Sequence, residues 1–235
     1  MWIKSQNYDF EWIKDLSGLL FPNICVTCRS YLMKSEKLIC LGCLSKLPKT
    51  NLHRVKDNFI LRKFFGRIDV YQASSFLVFS PGNYTQTLIH MLKYRGFPKV
   101  GERLGQLYSF DLMADGYEPP DLIVPLPLHP AKRKLRGFNQ CVPIAKGLNS
   151  NFHARIVTKN VVRVTDNSSQ TKKGRWDRWL NVDRIFKVTH PEAFDKAHVL
   201  LVDDVITTGA TLEACGKVLL EAGAEKLSIL TLATA

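Results

Sequence analysis

The segment Val199-Leu200-Leu201-Val202-Asp203-Asp204-Val205-Ile206-Thr207-Thr208-Gly209-Ala210-Thr211 decides the fold expected for this chain. Its four leading apolar residues predict a strand that is buried on both faces, as the central strands of parallel sheets are. Two carboxylates follow at the C-terminal end of that strand, which is the edge where open α/β sheets bind their ligands. Small residues then lead into a helix predicted over 211–222. The segment therefore predicts a strand, a loop and a helix with a ligand site at the turn.

The loop 207–211 has the composition of a phosphate site. Its backbone N–H groups and hydroxyls can converge on one point, and the helix N-terminus adds the positive end of its dipole. The adjacent Asp203 and Asp204 suit ribose hydroxyls as hydrogen-bond acceptors, or a magnesium ion through water. A phosphate cradle beside these acids indicates a ribose 5-phosphate. The alternative is an ordinary turn in which an aspartate caps the helix; the Gly-Lys-Ser/Thr of a Walker A motif is absent from the segment.

Strands and helices alternate on either side of this segment. This alternation predicts an α/β fold in which a doubly wound, mostly parallel sheet carries helices on both faces. We expect this domain over residues 68–235, after a basic connector at 51–67. The predicted strands cover 68–80, 121–126, 156–164, 184–188, 198–202 and 226–232, and the remaining predicted helices cover 83–94, 99–113 and 138–148.

The composition is that of a soluble globular protein with a basic surface. Hydrophobic residues make up 46% of the 235 residues and charged residues 23%, which argues against a disordered chain. No apolar run approaches the ~20 residues that span a bilayer. Acidic residues such as Asp9 and Glu11 interrupt the stretch that a secretory signal would need, so we expect a cytoplasmic protein. The net charge of +12 favours polyanionic partners, although a basic but functionally neutral surface is the alternative.

The first 50 residues predict a helix followed by a metal-binding module. Apolar residues from Trp12 to Leu20 fall on one helical face, which could dock onto its own domain, a membrane or a partner. Behind this helix, Cys25-x₂-Cys28 and Cys40-x₂-Cys43 are separated by 11 residues. Two such knuckles complete a tetrahedral thiolate site, so we expect structural zinc in a ribbon-like module. A redox dithiol is the rival interpretation. Cys141 and Cys215 fall on predicted helices and are expected in the core.

Two further segments carry clustered cations. The first is Lys132-Arg133-Lys134-Leu135-Arg136, which follows the strand 121–126 at the expected ligand edge. We expect Arg133 and Arg136 to bind pyrophosphate, and Lys132 and Lys134 to bind a nucleic-acid backbone. The alternative is a solvated loop without a ligand. The second is Lys172-Lys173-Gly174-Arg175-Trp176-Asp177-Arg178-Trp179, where cations and indoles alternate as in binders of single-stranded nucleic acid. Alternatively, the two tryptophans pack inward on one helix face.

The segment 199–211 resembles the phosphoribosyl pyrophosphate signature of type I phosphoribosyltransferases. With Lys93-Tyr94-Arg95-Gly96, residues 124–140 and the spacing of Gln170, Arg175, Arg178, Asn181 and Phe186, the chain looks like the ComF family, also described as ComFC-like or GntX-like. The resemblance covers nearly the whole chain. It implies that Asp203 and Asp204 contact ribose hydroxyls, that the loop 207–211 wraps the 5-phosphate, and that a loop from about Pro127 holds pyrophosphate with magnesium. His129 and Lys132 depart from many relatives, so the contacts at these two positions are not carried over.

The resemblance also implies a role in natural transformation or DNA uptake. It places the protein at the cytoplasmic face of the inner membrane, handling incoming single-stranded DNA beside a DNA-translocation helicase. Three functions stay open: a DNA-uptake factor that binds phosphoribosyl pyrophosphate or a nucleotide, a working phosphoribosyltransferase, and a nucleotide-sensing regulator without turnover. In a transferase, magnesium would neutralise pyrophosphate and Arg133 and Arg136 would support the leaving group. The acceptor base and the general acid or base are not evident from the sequence.

Overall fold

The computed structural model describes residues 23–94, 96–164 and 185–235. The chain divides into two compact units, Met1–Lys46 and Leu47–Ala235. The helix predicted to end at Phe21-Pro22 and the aromatic-basic segment 172–179 lie outside the described residues, as does Arg95.

Little regular structure supports the described part of the first unit. It holds one four-residue helix, α1 (Leu41–Leu44), and isolated antiparallel bridges that join Ile24 to Tyr31 and Lys37 to Ile39. Few of its apolar side chains are buried, so its packing alone provides little stabilisation.

A five-stranded parallel sheet forms the centre of the second unit. The strand order is β1-β7-β6-β2-β3, and every pairing in this sheet is parallel. A separate antiparallel pair joins β4 to β5. The strands are β1 (Gln72–Val78), β2 (Leu122–Pro125), β3 (Arg155–Ile156), β4 (Val161–Arg163), β5 (Phe186–Val188), β6 (His198–Ile206) and β7 (Lys226–Thr234).

Helices cover both faces of this sheet, which confirms the α/β expectation. The β2–β3 and β6–β7 connections run in opposite directions across the sheet, so right-handed crossovers put their helices on opposite faces. Val199 and Leu201 of β6 pack into one core layer, while the intervening Leu200 is also fully buried. The helices of the second unit are α2 (Phe59–Arg62), α3 (Tyr84–Tyr94), α4 (Pro98–Ala114), α5 (Pro130–Arg136), α6 (Cys141–Phe152) and α7 (Ala210–Glu221).

The strand order creates a topological switch point between β2 and β6. These strands are neighbours, with Val124 opposite Leu201, yet the chain leaves β2 towards β3 and leaves β6 towards β7. The connections after the two strands therefore diverge and open a crevice at their carboxyl ends. Open α/β sheets bind their ligands in such crevices.

Residues 51–67 differ from the connector expected there, because they pack into the second unit. Ile60 and Phe64 are fully buried in the same core layer as β6. The Asn58 side chain accepts from Ile60 N and Leu61 N at the start of α2 and donates to Ala73 O of β1 at 2.8 Å. The apolar spacing at 60, 61 and 64 marks a buried face, which the charge of the segment obscured.

Candidate functional site

Two adjacent carboxylates lie near the carboxyl end of β6, at the switch point. Asp203 Oδ1 accepts a hydrogen bond from Asp204 N at 2.8 Å and one from the Cys141 thiol at 3.3 Å. Asp204 is only 4% exposed, and its Oδ2 has no hydrogen-bond partner among the described residues. Loss of water contact and the charge of Asp204 raise the pKa of Asp203 to about 7. The pair therefore includes a buried acceptor without a partner among the described residues, and it carries less negative charge than two exposed acids.

Lys93, at the end of α3, brings a cation to this pair. Its Nζ lies 3.0 Å from Asp204 Oδ1, and its side chain is 21% exposed. The sequence drew attention to Lys93 only through the family resemblance, not as a site residue. No local pattern could have revealed the contact, since it depends on how α3 packs beside β6.

The loop predicted to cradle phosphate is shorter than expected. The turn is limited to residues 207–209, because α7 begins at Ala210. Thr207 and Thr208 are exposed, and Gly209 has a φ of 82°, in the left-handed region that favours glycine. A Cβ at Gly209 would lie 3.1 Å from the Phe64 ring, so the segment that follows α2 packs against the turn. The first turn of α7, with Ala210 and Thr211, points its N-terminal N–H groups towards this loop.

The end of β2 is tied to the start of α6 by Asn139. Its Nδ2 donates to Leu126 O at 2.9 Å, and its Oδ1 accepts from Cys141 N at 3.0 Å. The same Cys141 donates its thiol to Asp203, so this short network links the carboxyl ends of β2 and β6. These bonds place Asn139 just before α6, where its side chain satisfies the backbone N–H of the first helical residue.

The basic cluster after β2 is a helix, α5, and not the loop that the sequence analysis expected. His129 Nδ1 accepts from Ala131 N at 3.2 Å, Pro130 occupies the first turn, and Gly137 ends the helix with a φ of 78°. Proline at the start and glycine after the end are helix signals, and they outweigh the loop expected from the clustered charges. Three of its cationic residues are exposed, namely Lys132, Arg133 and Lys134. The fourth, Arg136, is half-buried.

Arg136 lies against the end of α3. Its guanidinium carbon is 5.3 Å from the centroid of the Tyr94 ring. Since Lys93 of the same helix contacts Asp204, the C-terminal end of α5 is held near the acidic pair. The structure thus brings Lys93 to the two carboxylates that precede the turn 207–209, and Arg136 to the end of the same helix as Lys93.

The four cysteines of the first unit form a cluster that could hold a metal ion. The Sγ atoms of Cys25, Cys28, Cys40 and Cys43 all lie within 4.8 Å of one another, and Cys28 Sγ lies 3.7 Å from Cys40 Sγ. A tetrahedron of sulfurs about 2.3 Å from a zinc ion has edges of about 3.8 Å. Cys40 N donates to Cys25 Sγ at 3.4 Å, as expected around a thiolate knuckle. Hydrogen bonds from Ser30 lower the pKa of Cys28 to about 6, whereas burial raises the pKa of Cys43, so the metal site is inferred from the arrangement of the four sulfurs.

The remaining predicted residues divide between the core and the part of the chain without described structure. Cys141 and Cys215 are buried, as expected. The structure does not describe the predicted nucleic-acid residues Lys172, Lys173, Arg175, Trp176, Arg178 and Trp179. Within the described ranges, no helix combines the length and apolarity needed to cross a membrane.

Comparisons with known proteins agree with this geometry. Residues 139–235, which contain the acidic pair and the turn, match the phosphoribosyl transferase domain family. The chain is 25% identical to competence protein ComFC of Bacillus subtilis, covering 89% of this chain and 93% of that protein. It is 27% identical to DNA utilization protein YhgH of Salmonella typhimurium, covering 90% of this chain and 96% of that protein.

Among solved structures, a glutamine phosphoribosylpyrophosphate amidotransferase from B. subtilis, complexed with ADP and GMP, is similar over 60% of this chain and 30% of that one. The identity is 16% and the TM-score 0.43. The type I phosphoribosyltransferase fold rests on the strand order and the matched domain.

Proposed function

We propose that this chain, a ComF-family protein with a phosphoribosyl transferase domain, binds phosphoribosyl pyrophosphate or a nucleotide while it takes part in DNA uptake or utilization. The observation that carries this proposal is the position of Asp203 and Asp204 beside the turn 207–209 at the switch point. That arrangement supplies acceptors for ribose hydroxyls and donors for a 5-phosphate at one place.

The ribose side of the proposed ligand would use the acidic pair. Asp204 Oδ2 is a buried acceptor without a partner among the described residues, and burying such an atom costs free energy unless a donor reaches it. A ribose hydroxyl is a donor of suitable size. The phosphate would meet the hydroxyls of Thr207 and Thr208 and the N-terminal turn of α7.

The pyrophosphate side would use α5. Arg133 is exposed on this helix, and Arg136 is placed beside α3 by its contact with Tyr94. Guanidinium groups bind phosphate oxygens in pairs, and a magnesium ion bound with the ligand would add charge neutralisation. These residues make phosphoribosyl pyrophosphate a better match than a simple phosphate.

A role with single-stranded DNA is the second part of the proposal. Lys132 and Lys134 are exposed on α5, the chain carries a net charge of +12, and two of its relatives are named for competence and for DNA utilization. Cations of this kind bind a phosphate backbone without sequence preference. We propose that the protein works in the cytoplasm, at the inner membrane, beside a DNA-translocation helicase.

The cysteine cluster is proposed as a structural zinc site. Four thiolates fill a tetrahedral coordination sphere, which leaves no position open for catalysis. Zinc would hold together a unit whose described residues, from 23 onwards, have sparse apolar packing, so its binding would contribute to folding.

Calorimetric titration with phosphoribosyl pyrophosphate and magnesium tests the ligand. Asp203→Asn combined with Asp204→Asn should weaken binding at least 10-fold, because each charge-assisted hydrogen bond contributes ~1.5–3 kcal/mol. Asp57→Asn is the matched control, since Asp57 is an exposed acid paired with Arg62. Wild-type affinity in a folded double variant would show that the acidic pair does not bind ribose.

Turnover is tested separately. The protein is incubated with phosphoribosyl pyrophosphate, magnesium and a panel of nitrogen bases, and pyrophosphate release is measured. Release that depends on one base identifies a working phosphoribosyltransferase and its acceptor. Binding without release under every condition supports the uptake factor or the nucleotide-sensing regulator.

A further inference from the structure

The C-terminal end of α3 presents an exposed aromatic ring that lies close to two other flat side chains. Tyr94 is 60% exposed, and the Arg136 guanidinium carbon lies 5.3 Å from its ring centroid. The exposed His90 ring is 4.9 Å from the Tyr94 ring, tilted by 44°. An exposed tyrosine held by a cation from another helix is more ordered than an isolated surface ring. This cluster of His90, Tyr94 and Arg136 is called the Tyr94 platform below.

The Tyr94 platform is next in the chain to a residue that contacts the acidic pair. Lys93 precedes Tyr94 directly, and its amine reaches Asp204 at 3.0 Å. Neighbouring Cα atoms are about 3.8 Å apart, so the Tyr94 backbone directly follows that of Lys93, whose side chain reaches Asp204. The platform therefore lies at the end of α3 whose Lys93 reaches the acids that we assign to the ribose.

The chemistry of the platform favours a nucleobase. Every base has a flat π face, and tyrosine rings and guanidinium planes stack on such faces with little regard to sequence. The exposed cations of α5 next to Arg136 would hold the phosphates that accompany a base. From the sequence, base stacking is expected at Trp176 and Trp179 and pyrophosphate binding at Arg136, whereas Tyr94 is unassigned.

We propose that Tyr94 and Arg136 form a stacking platform for a nucleobase at the rim of the phosphoribosyl site. The base belongs either to a nucleotide bound at the acidic pair or to single-stranded DNA that crosses the rim. This inference rests on the proposed function, since the site beside the platform is the one assigned to the ribose.

The test compares ligands with and without a base. Phosphoribosyl pyrophosphate has no base, GMP has one, and a short oligothymidylate carries bases on a DNA backbone. Affinities for all three are measured by calorimetry for the wild type and for Tyr94→Ala, Tyr94→Phe and Phe110→Ala. Phe110 is a matched control because it is 68% exposed on α4. Thermal melting of each variant checks that it is folded.

Tyr94→Ala should lower the affinity for GMP, for the oligonucleotide or for both by about 10-fold relative to that for phosphoribosyl pyrophosphate. Tyr94→Phe should keep both affinities within about twofold, because the ring remains. A loss with GMP places the base on the bound nucleotide, and a loss with the oligonucleotide alone places it on DNA.

Equal affinities in Tyr94→Ala and wild type for both base-containing ligands would overturn the platform. A uniform loss for all three ligands would also overturn it, because such a loss indicates a structural effect. If the wild type binds the oligonucleotide and not phosphoribosyl pyrophosphate, the proposed phosphoribosyl site fails, while a loss of oligonucleotide affinity in Tyr94→Ala would still support the platform.

Discussion

Lys93 Nζ lies 3.0 Å from Asp204 Oδ1, and this ion pair joins the end of α3 to the carboxyl end of β6. Asp204 is almost fully buried beside Asp203, so two carboxylates share a site with little water. The lysine supplies the opposite charge that makes such burial tolerable. The cation at the acidic pair is therefore part of the protein, whichever ligand binds.

Removal of this cation should destabilise the fold. Lys93→Met leaves Asp204 buried without its partner, and we expect the free energy of unfolding to fall by about 1–3 kcal/mol, allowing for partial exposure of the lysine. Guanidinium unfolding of the single and double variants with Asp204→Asn measures the coupling. Lys49→Met is the matched control, because Lys49 pairs with Asp111 at 2.7 Å but is 40% exposed and should cost less than about 1 kcal/mol. Equal losses for the two lysines would contradict a buried pair.

The raised pKa of Asp203 predicts a pH dependence of stability. That pKa is about 7 in the folded chain, against about 3.9 for an unfolded aspartate. Between these values the folded state binds more protons, so this group lowers the free energy of unfolding as the pH rises from about 4 to about 7. Unfolding at pH 5 and pH 8 should show a larger loss in the wild type than in Asp203→Asn, by at least about 1 kcal/mol. Asp57→Asn should behave as the wild type does, and parallel curves for all three would refute the assignment.

Gly209 should tolerate a side chain less well than another glycine of similar conformation. Gly209→Ala places a methyl group 3.1 Å from the Phe64 ring at a φ of 82°, whereas Gly82 has a φ of 79° and open space around it. Both substitutions cost about 1–2 kcal/mol for the left-handed backbone. Only Gly209→Ala should cost more than this and also weaken phosphoribosyl pyrophosphate binding. Thermal melting and calorimetry compare the two, and identical behaviour would rule out a supporting role for Phe64.

The cysteine cluster should hold about one zinc ion per chain when the protein is purified without chelator. Elemental analysis measures the zinc, and Cys28→Ser or Cys40→Ser should lower its content. Cys215→Ala is the control, because Cys215 is buried in the second unit and should leave the zinc in place. A metal-free protein that is folded around four freely titratable thiols would disprove the site.

Single-stranded DNA binding should separate into a salt-dependent and a salt-independent part. Replacing Lys132 and Lys134 with alanine should reduce the log–log salt slope by about 0.7 per lost phosphate contact, whereas alanine at Lys56 and Lys217 should not. Trp176→Ala and Trp179→Ala should each cost ~1–3 kcal/mol at any salt concentration. Fluorescence anisotropy at two salt concentrations measures both effects.

Phosphoribosyl pyrophosphate should also displace a labelled oligonucleotide if the two ligands share one groove. If variants of α5 no longer bind phosphoribosyl pyrophosphate but keep full affinity for DNA, the two ligands do not share one groove. That result would favour a phosphoribosyltransferase without a DNA-binding role.

The sequence by itself determined the elements that are specified by residues adjacent in the chain. The run 199–211 predicted β6, its two acids and the start of α7, because a buried strand and the polar residues after it are adjacent in the chain. The cysteine spacing likewise predicted a cluster whose thiols the structure brings within 4.8 Å. The alternation of elements predicted a mostly parallel sheet, although it misjudged α5 and the residues of α2.

Only the tertiary structure decided which distant groups meet at the switch point. The contact of Lys93 with Asp204, the support of Gly209 by Phe64 and the position of Arg136 on Tyr94 all join residues from different elements. Such contacts depend on strand order and helix packing, which arise from burial of apolar faces across the whole unit. Local periodicity specifies that a face is buried, but it does not specify which other face covers it.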